Sequence, residues 1–319
     1  MTDPQLPARS PSLTRVARGD LCAGCGACAG VAPAAIRMEQ VAPGFLRPRQ
    51  IAPLSDREER LIAQSCPGLG QTVVAAGRPD PVLWGPVLQM RSGWASDPAL
   101  RHAGASGGAL SALLTHLLAT GLVETVVQIA ADPALPVGNV TVLSDSAAAI
   151  AAAGSRYAPS APLAGLAALV AGGRRHAFVG KPCDVAALRA LAGTDPAVAA
   201  AFPVILSFFC GGVPSQSGAE AVLAALGTTL AETAAFRYRG NGWPGRATAR
   251  LKDGTERSMS YPESWGGILS KHAQFRCKIC ADGTGAAADI VCADAWDCDA
   301  RGYPVFDEAP GISLIVART

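Results

Sequence analysis

The sequence has few of the features that mark membrane, secreted or nucleic-acid-binding proteins. It contains no run of 18 or more apolar residues, and the stretch from Met1 to Ser12 lacks an apolar signal core. These absences argue against a membrane span and against secretion. The formal net charge is only +2 and lysine occurs four times, so there is no basic field to attract nucleic acid. We expect a cytoplasmic protein that binds neither membranes nor nucleic acids.

Two nucleotide-binding motifs are also missing from the sequence context that would make them diagnostic. No G-x-G-x-x-G stands between a predicted strand and a helix, and there is no G-x-x-x-x-G-K-[ST] loop. This disfavours a Rossmann NAD site and an NTPase. What the chain does have is 319 residues, of which half are apolar and 16% are charged. That composition is typical of a cytosolic α/β enzyme with a large buried core.

Ten cysteines stand out in this composition, because a reducing compartment favours metal or redox sites over disulfides. Cys22, Cys25 and Cys28 form a C-x2-C-x2-C run. This spacing lets one short loop turn three thiolates towards one corner of an iron–sulfur cubane.

The bacterial ferredoxin pattern continues with a fourth cysteine and a proline, but here Ala32 precedes Pro33. Cys66, which is followed by Pro67, is the best candidate for the missing ligand. We therefore predict one [4Fe–4S] site on the first thiol set, which is Cys22, Cys25, Cys28 and Cys66. The alternatives are a zinc knuckle or reduced structural thiols, although zinc sites usually combine two separated C-x2-C pairs.

The chain divides into two parts at a Pro/Gly-rich stretch, residues 77–86. Residues 1–80 predict a small ferredoxin-like iron–sulfur unit. Residues 81–319 alternate helical and strand patterns, including a helix over 108–120 and strands over 122–129, 176–179 and 204–209. This alternation predicts a larger α/β domain, within an α/β (α+β) fold, built on a mixed sheet.

Four more cysteines form the second thiol set, which is Cys183, Cys210, Cys277 and Cys280. The Cys277/Cys280 pair alone is compatible with zinc, a redox dithiol or chance. Cys183 and Cys210 each follow a predicted strand, at the sheet edge where ligands of α/β proteins bind. The alternative is that Cys183 and Cys210 are simply small buried hydrophobic residues.

Several segments resemble the coenzyme F-420 hydrogenase/dehydrogenase beta-subunit family, which includes 7-hydroxymethyl chlorophyll a reductase and a ferredoxin-dependent divinyl chlorophyllide vinyl reductase. The likeness runs in order from about residue 20 to the C-terminus, and it is carried by residues 104–111, 154–157, 180–189, 236–245, 277–280 and 288–294. The resemblance implies an FAD protein with one or two [4Fe–4S] clusters. It also implies that the second thiol set holds a cluster near the flavin, with Cys292 and Cys298 as non-ligands.

A glycine-rich turn is the predicted binding site for the flavin pyrophosphate. Ser106, Gly107 and Gly108 stand directly before the predicted helix, whose first N–H groups attract negative charge. On its own, the turn is also explained by Ser106 capping the helix.

Further candidates lie in the resembling segments. Lys181 is predicted to contact phosphate or to stabilise the negative charge of a reduced flavin, unless it is a solvated surface lysine. Arg156 and Tyr157 offer a guanidinium and an aromatic face for flavin recognition.

A second group of loop residues completes the prediction. The loop of Arg239, Asn241, Gly242 and Trp243 offers guanidinium, amide and aromatic groups for flavin recognition, although turn chemistry also explains Asn241-Gly242. His102 is a candidate proton relay to flavin or substrate, or a bystander.

We therefore predict an iron–sulfur flavoprotein oxidoreductase. It would pass electrons from ferredoxin or a similar donor through two [4Fe–4S] clusters to FAD, and on to a small organic substrate. The alternative is an electron-transfer, deazaflavin-oxidising beta subunit of a larger redox complex. A zinc-stabilised binding module is a third reading, and the sequence leaves homo-oligomerisation open.

Overall fold

The computed structural model describes residues 9–319, apart from the side chains of residues 151–153. The first eight residues of the predicted iron–sulfur unit lie outside this range. The helices are α1 (Pro11–Arg18), α2 (Ala27–Val31), α3 (Asp56–Ser65), α4 (Pro98–Ala103), α5 (Ala109–Ala119), α6 (Ala147–Ala153), α7 (Leu166–Ala171), α8 (Pro182–Thr194), α9 (Pro196–Ala201), α10 (Gln216–Ala225) and α11 (Phe275–Lys278), with a π-helix at Pro262–Ile268 and a 3-10 helix at Leu269–His272. The strands are β1 (Ile36–Val41), β2 (Phe45–Gln50), β3 (Gln89–Gly93), β4 (Thr125–Ala131), β5 (Asn139–Ser144), β6 (His176–Gly180), β7 (Val204–Phe208), β8 (Thr233–Arg237), β9 (Arg246–Leu251), β10 (Glu256–Ser260), β11 (Ile290–Asp294) and β12 (Ser313–Ala317).

The N-terminal elements are short and depend on local caps. Ser10 accepts a hydrogen bond from the Leu13 N–H at the start of α1, and Ser55 and Glu58 form a reciprocal capping box on α3. β1 and β2 form an antiparallel hairpin. Ile36 and Ile62 are almost fully buried where the hairpin, α2 and α3 meet. A small apolar cluster thus supports the loop that carries the first three cysteines.

A seven-stranded sheet in the order β3-β12-β11-β7-β6-β4-β5 forms the centre of the molecule. β4, β6, β7 and β11 pair in parallel, whereas β3, β5 and β12 are antiparallel to their neighbours. The apolar strands β6 and β7 are mostly buried, as expected for the middle of a sheet covered on both faces. The structure confirms the predicted α/β fold with a mixed sheet.

The parallel strands place three residues of interest at one edge of the seven-stranded sheet. Cys183 follows β6, Cys210 follows β7, and Asp294 ends β11, so all three reach the carboxyl edge of the sheet. The separate antiparallel sheet β10-β9-β8 packs its own apolar cluster with α10 and the π-helix.

The β1–β2 hairpin is anchored to the larger part of the chain. The N–H of Gln216, the first residue of α10, donates to the carbonyl of Gly44 at 3.1 Å. An added Cβ on Gly44 would lie 2.5 Å from the Gln216 Cβ, and Gly44 has a φ of +107°. Only glycine allows so close an approach in this conformation. The hairpin turn is therefore closely docked.

The predicted elements of the larger part are present, with shifted boundaries. The helix predicted over 108–120 is α5, and the strand predicted over 122–129 begins only at Thr125, because Gly121 ends α5 in a left-handed conformation with a φ of +68°. Within residues 9–319, no helix is long and apolar enough to cross a membrane. The division at residue 80 stays a prediction.

Candidate functional site

The first thiol set converges on a small cavity beside α2. All four of its cysteines line this cavity, together with Met38, Ile62 and other apolar residues. Gly26, with a φ of +81°, precedes α2, and the Cys25 carbonyl accepts a hydrogen bond from the Leu163 N–H at 3.1 Å. The loop is therefore fixed to the larger part of the chain, and its thiols face a shared interior space.

These thiols are electrostatically coupled. Burial, followed by the charges of Cys22 and Cys66, raises the pKa of Cys28 to about 12. Burial also raises the pKa of Cys25 well above its ordinary range. Because metal ligands must be thiolates, assembly of a cluster on these residues requires that their protons leave.

Three cysteines of the second thiol set lie close together. The charges of Cys210 and Cys277 both raise the pKa of Cys183, after the larger effect of burial, and burial raises the pKa of Cys210 to about 11. The Val213 N–H donates to the Cys277 sulfur at 3.4 Å. Cys280 follows Cys277 in a tight turn, is exposed, and donates from its sulfur to the Asp282 carbonyl at 3.4 Å.

Neither thiol set is packed as tightly as the ligands of a single ion. Among residues 9–319, no three His, Cys, Asp or Glu side chains converge closely enough to hold one metal ion. A tetrahedral zinc site would place its sulfurs only about 3.8 Å apart, given its ~2.3 Å zinc–sulfur bonds. A cubane binds each thiolate through a different iron, so its ligands lie farther apart.

A cavity of about 300 Å³ adjoins the second thiol set. Cys210 and Lys181 line it from the ends of β7 and β6, and Ser106, Gly108 and the first turn of α5 line it from another side. This volume is at the lower end of the range for ligand pockets. The cavity thus brings the predicted pyrophosphate turn, the predicted cation and one predicted cluster ligand to one space.

The glycine-rich turn does not use Ser106 as a helix cap. Gly108 is the N-cap residue of α5, with no side-chain cap. The Ser106 hydroxyl instead lies within hydrogen-bonding distance of the carbonyls of Ala293 (3.1 Å) and Ile312 (3.4 Å). Residues 104–108 also match the G-x-S-x-G pattern of serine hydrolases, but these carbonyl contacts tie the hydroxyl to β11 and to the residue before β12. The first N–H groups of α5 therefore face the cavity without a protein cap.

Gly107 offers a stability prediction for this turn. It has a φ of +69°, and a Cβ there would lie 2.6 Å from the Gly311 carbonyl oxygen. We expect Gly107→Ala to lower the free energy of unfolding by more than ~1–2 kcal/mol, the cost of the left-handed conformation alone. Urea unfolding measures this. Gly121→Ala is the control, because Gly121 has a φ of +68° but nothing within 4 Å of the added Cβ. Equal losses in the two variants would contradict the close contact.

Lys181 is buried beside the cavity rather than solvated. Its ammonium donates to Asp184 Oδ2 at 2.7 Å and to Ser160 Oγ at 2.9 Å. Burial alone would lower the pKa of Lys181, but the neighbouring Asp184 carboxylate raises it above its ordinary value. The cavity wall therefore contains a buried ion pair, in which Asp184 and Ser160 hold the Lys181 ammonium.

Arg156 and Tyr157 line the cavity but are already engaged with protein groups. The Arg156 guanidinium donates to the Asn139 side chain and to the carbonyls of Phe236, Pro136 and Gly138. The Tyr157 ring packs against Tyr238 and Trp265. In this arrangement, Arg156 holds the loop in place rather than offering free donors.

The 241–243 loop and His102 lie outside the cavity wall. The Gly242 N–H donates to the His102 carbonyl at 3.1 Å. The Trp243 indole N–H donates to Asp294 Oδ1 at 2.8 Å, and its ring stacks on Trp296. Gly107 is likewise absent from the wall. The 241–243 loop and His102 therefore do not line the wall that Ser106, Gly108 and Lys181 share.

Some residues of the site carried no clear signal in the sequence. Asp184 and Ser160 hold Lys181, while Arg239 makes a two-pronged ion pair with Asp294 at 2.8 Å for each bond. Arg239 and Asp294 line the cavity together with Tyr261 and Trp265. Arg239 was already a candidate from its loop, whereas Asp294 stands in the family-like segment 288–294, which is the one signal that could have found it.

Two family models match the chain. The coenzyme F420 hydrogenase/dehydrogenase beta-subunit N-terminal model matches residues 90–167, and the corresponding C-terminal model matches residues 173–319. The chain belongs to this beta-subunit family. This family is related to oxidoreductases, and the matched ranges include the cavity wall and the whole second thiol set. The first thiol set lies outside both ranges.

A solved structure shares the fold of this beta-subunit family member. A chain in the F420-reducing [NiFe] hydrogenase complex from Methanosarcina barkeri aligns with a TM-score of 0.56 and 18% identity, over 76% of this chain and 78% of that one. No curated protein matches the sequence. At this identity, the likeness shows the fold alone.

Proposed function

We propose that this family member is an FAD- and [4Fe–4S]-dependent oxidoreductase that carries electrons from a ferredoxin-type donor to a small organic substrate. The observation that carries the proposal is the shared wall of the large cavity. Cys210 of the second thiol set, the buried cation Lys181 and the uncapped start of α5 all face it. A one-electron centre and a nucleotide-bearing cofactor would meet in this arrangement.

The thiols suit iron–sulfur clusters by their chemistry. Four cysteines line one small cavity in the first set, and three converge in the second, with Cys280 one turn away. We propose that each set holds one [4Fe–4S] cluster, and that Cys292 and Cys298 hold none. Cys292 is buried, and its pKa is raised to about 12 by burial with no thiol neighbour contributing.

The cavity suits a flavin by its charges. The N–H groups at the start of α5 favour the negative pyrophosphate near Ser106 and Gly108, and Lys181 supplies a positive charge that Asp184 and Ser160 keep in position. When bound, the clusters would supply single electrons and the flavin would supply two-electron chemistry. Lys181 would stabilise negative charge on the reduced cofactor. A proton-relay role for His102 stays a prediction, because its ring lies outside the wall.

Anaerobic purification with quantitation of iron, sulfide and flavin tests the proposal. We expect about eight iron atoms per chain, for two cubane clusters, together with one FAD and a brown, oxygen-sensitive sample. About four iron atoms would show that one thiol set holds no cluster. A colourless protein that loads only zinc under anaerobic assembly would end the proposal.

A second function is an electron-transfer, deazaflavin-oxidising subunit of a larger redox complex. The observation that favours it is the fold shared with a chain of the F420-reducing hydrogenase complex. Co-purification with a catalytic partner supports this function. Turnover of an unsaturated organic substrate by the isolated chain with reduced ferredoxin supports the first.

A further inference from the structure

One buried side chain contacts both a cysteine of the second thiol set and the loop that carries the first set. The Gln274 amide nitrogen lies 3.3 Å from the Ala23 carbonyl, in the loop between Cys22 and Cys25, and 3.5 Å from the Cys277 sulfur. Gln274 is only 2% exposed. These contacts link residues that are 251 positions apart in the chain.

The orientation of this amide is fixed on all sides. Arg47 in β2 donates to Gln274 Oε1 at 3.0 Å, so the amide nitrogen is the group that faces Ala23 and Cys277. The Gln274 N–H donates to the Val213 carbonyl at 3.1 Å, and its own carbonyl accepts from the Cys277 N–H at 3.0 Å. Both backbone and side chain are therefore held, while the amide nitrogen donates towards the Cys277 sulfur and the Ala23 carbonyl.

We propose that Gln274 is a positioning residue with two effects. It tunes the reduction potential of the cluster on the second thiol set, and it holds the loop of the first thiol set close to Cys277. The inference rests on the proposed function, since it requires a cluster on Cys277. A hydrogen bond donated to a thiolate ligand stabilises the more negative, reduced cluster, and such bonds tune cluster potentials. The amide shares its two hydrogens between this sulfur and the Ala23 carbonyl.

The test is an anaerobic redox titration followed by electron paramagnetic resonance. Gln274→Met keeps the length of the side chain but removes both donors and the acceptor for Arg47. Gln274→Glu keeps an oxygen for Arg47 and removes the donors, but it also adds a negative charge, which by itself disfavours the more negative reduced cluster. We expect Gln274→Met to shift the reduction equilibrium of the second cluster about tenfold towards the oxidised form, which is about 59 mV for one electron. Gln274→Glu should shift it in the same direction by more.

Gln216→Met is the matched control, because Gln216 is half-buried at the start of α10 and its side chain contacts Gln40 and Glu220 rather than a cysteine. The signal of the second cluster is the one that Cys277→Ser removes. An unchanged potential in both Gln274 variants, at full iron content, overturns the inference and leaves the proposed function intact. Absence of iron from the natural protein overturns the proposed function itself. If Gln274→Met fails to fold, Gln274→Leu replaces it, because leucine also lacks both donors and adds no charge.

Discussion

Replacing Cys277 with serine is expected to halve the iron content and to abolish reduction of the bound flavin by an external one-electron donor. Cys277 lies beside Cys183 and Cys210 and accepts hydrogen bonds from the Val213 N–H and the Gln274 amide. A serine hydroxyl is a poor iron ligand, whereas thiolates hold such clusters. Iron should fall from about eight to about four atoms per chain, as measured by iron quantitation alongside stopped-flow flavin reduction.

Cys298→Ser is the control for this experiment. Cys298 is exposed, and its thiol donates to the Trp296 carbonyl at 3.7 Å. We expect full iron content and unchanged flavin reduction in this variant. Donor-linked flavin reduction that persists in Cys277→Ser, with the second cluster absent, would contradict the role of the second thiol set.

The second large effect is expected at Asp184. Asp184→Asn keeps the shape of the side chain but leaves the buried Lys181 ammonium without a counter-charge, and Asp184 is only 1% exposed. Removing one partner of a buried ion pair typically lowers the free energy of unfolding by about 3–5 kcal/mol. Urea unfolding of the anaerobically prepared protein measures the change.

An exposed ion pair provides the comparison. The Glu39 carboxylate and the Arg49 guanidinium lie 3.3 Å apart on the surface of the β1–β2 hairpin. Glu39→Gln should therefore lower the free energy of unfolding by only about 0–1 kcal/mol. The double variant Lys181→Met/Asp184→Leu should recover much of the lost stability, because apolar residues often replace a buried ion pair without lowering the free energy of unfolding. If Asp184→Asn lowered the free energy of unfolding as little as Glu39→Gln does, the Lys181–Asp184 pair would be solvated rather than buried.

The sheet edge that carries the second thiol set was predictable from the sequence. Apolar runs that end at Cys183 and Cys210 read as buried parallel strands, and such strands finish at one edge. The structure confirms this fold and places both residues at the ends of adjacent strands, β6 and β7. Local periodicity and the topology rule were sufficient here.

The contacts that join distant segments were not predictable in this way. Gln274 and Ala23 form a contact that no local pattern encodes, because their separation in sequence is so long. Nor could the sequence show that the half-buried Arg156 guanidinium donates to the carbonyls of Phe236, Pro136 and Gly138, although a guanidinium removed from water needs such acceptors. The N-terminal elements escaped detection because side-chain caps define them more than apolar periodicity does.

The docked turn at Gly44 gives the molecule a fixed internal geometry. Proteins that move a redox group on a swinging arm must release that arm in every cycle, and a hinge with few contacts makes this fast. Here the backbone of Gly44 lies against the start of α10, with no room for even one extra carbon atom. This contact helps to fix the spacing between the two thiol sets when the chain folds, so the proposed electron exchange between them would proceed across a constant gap.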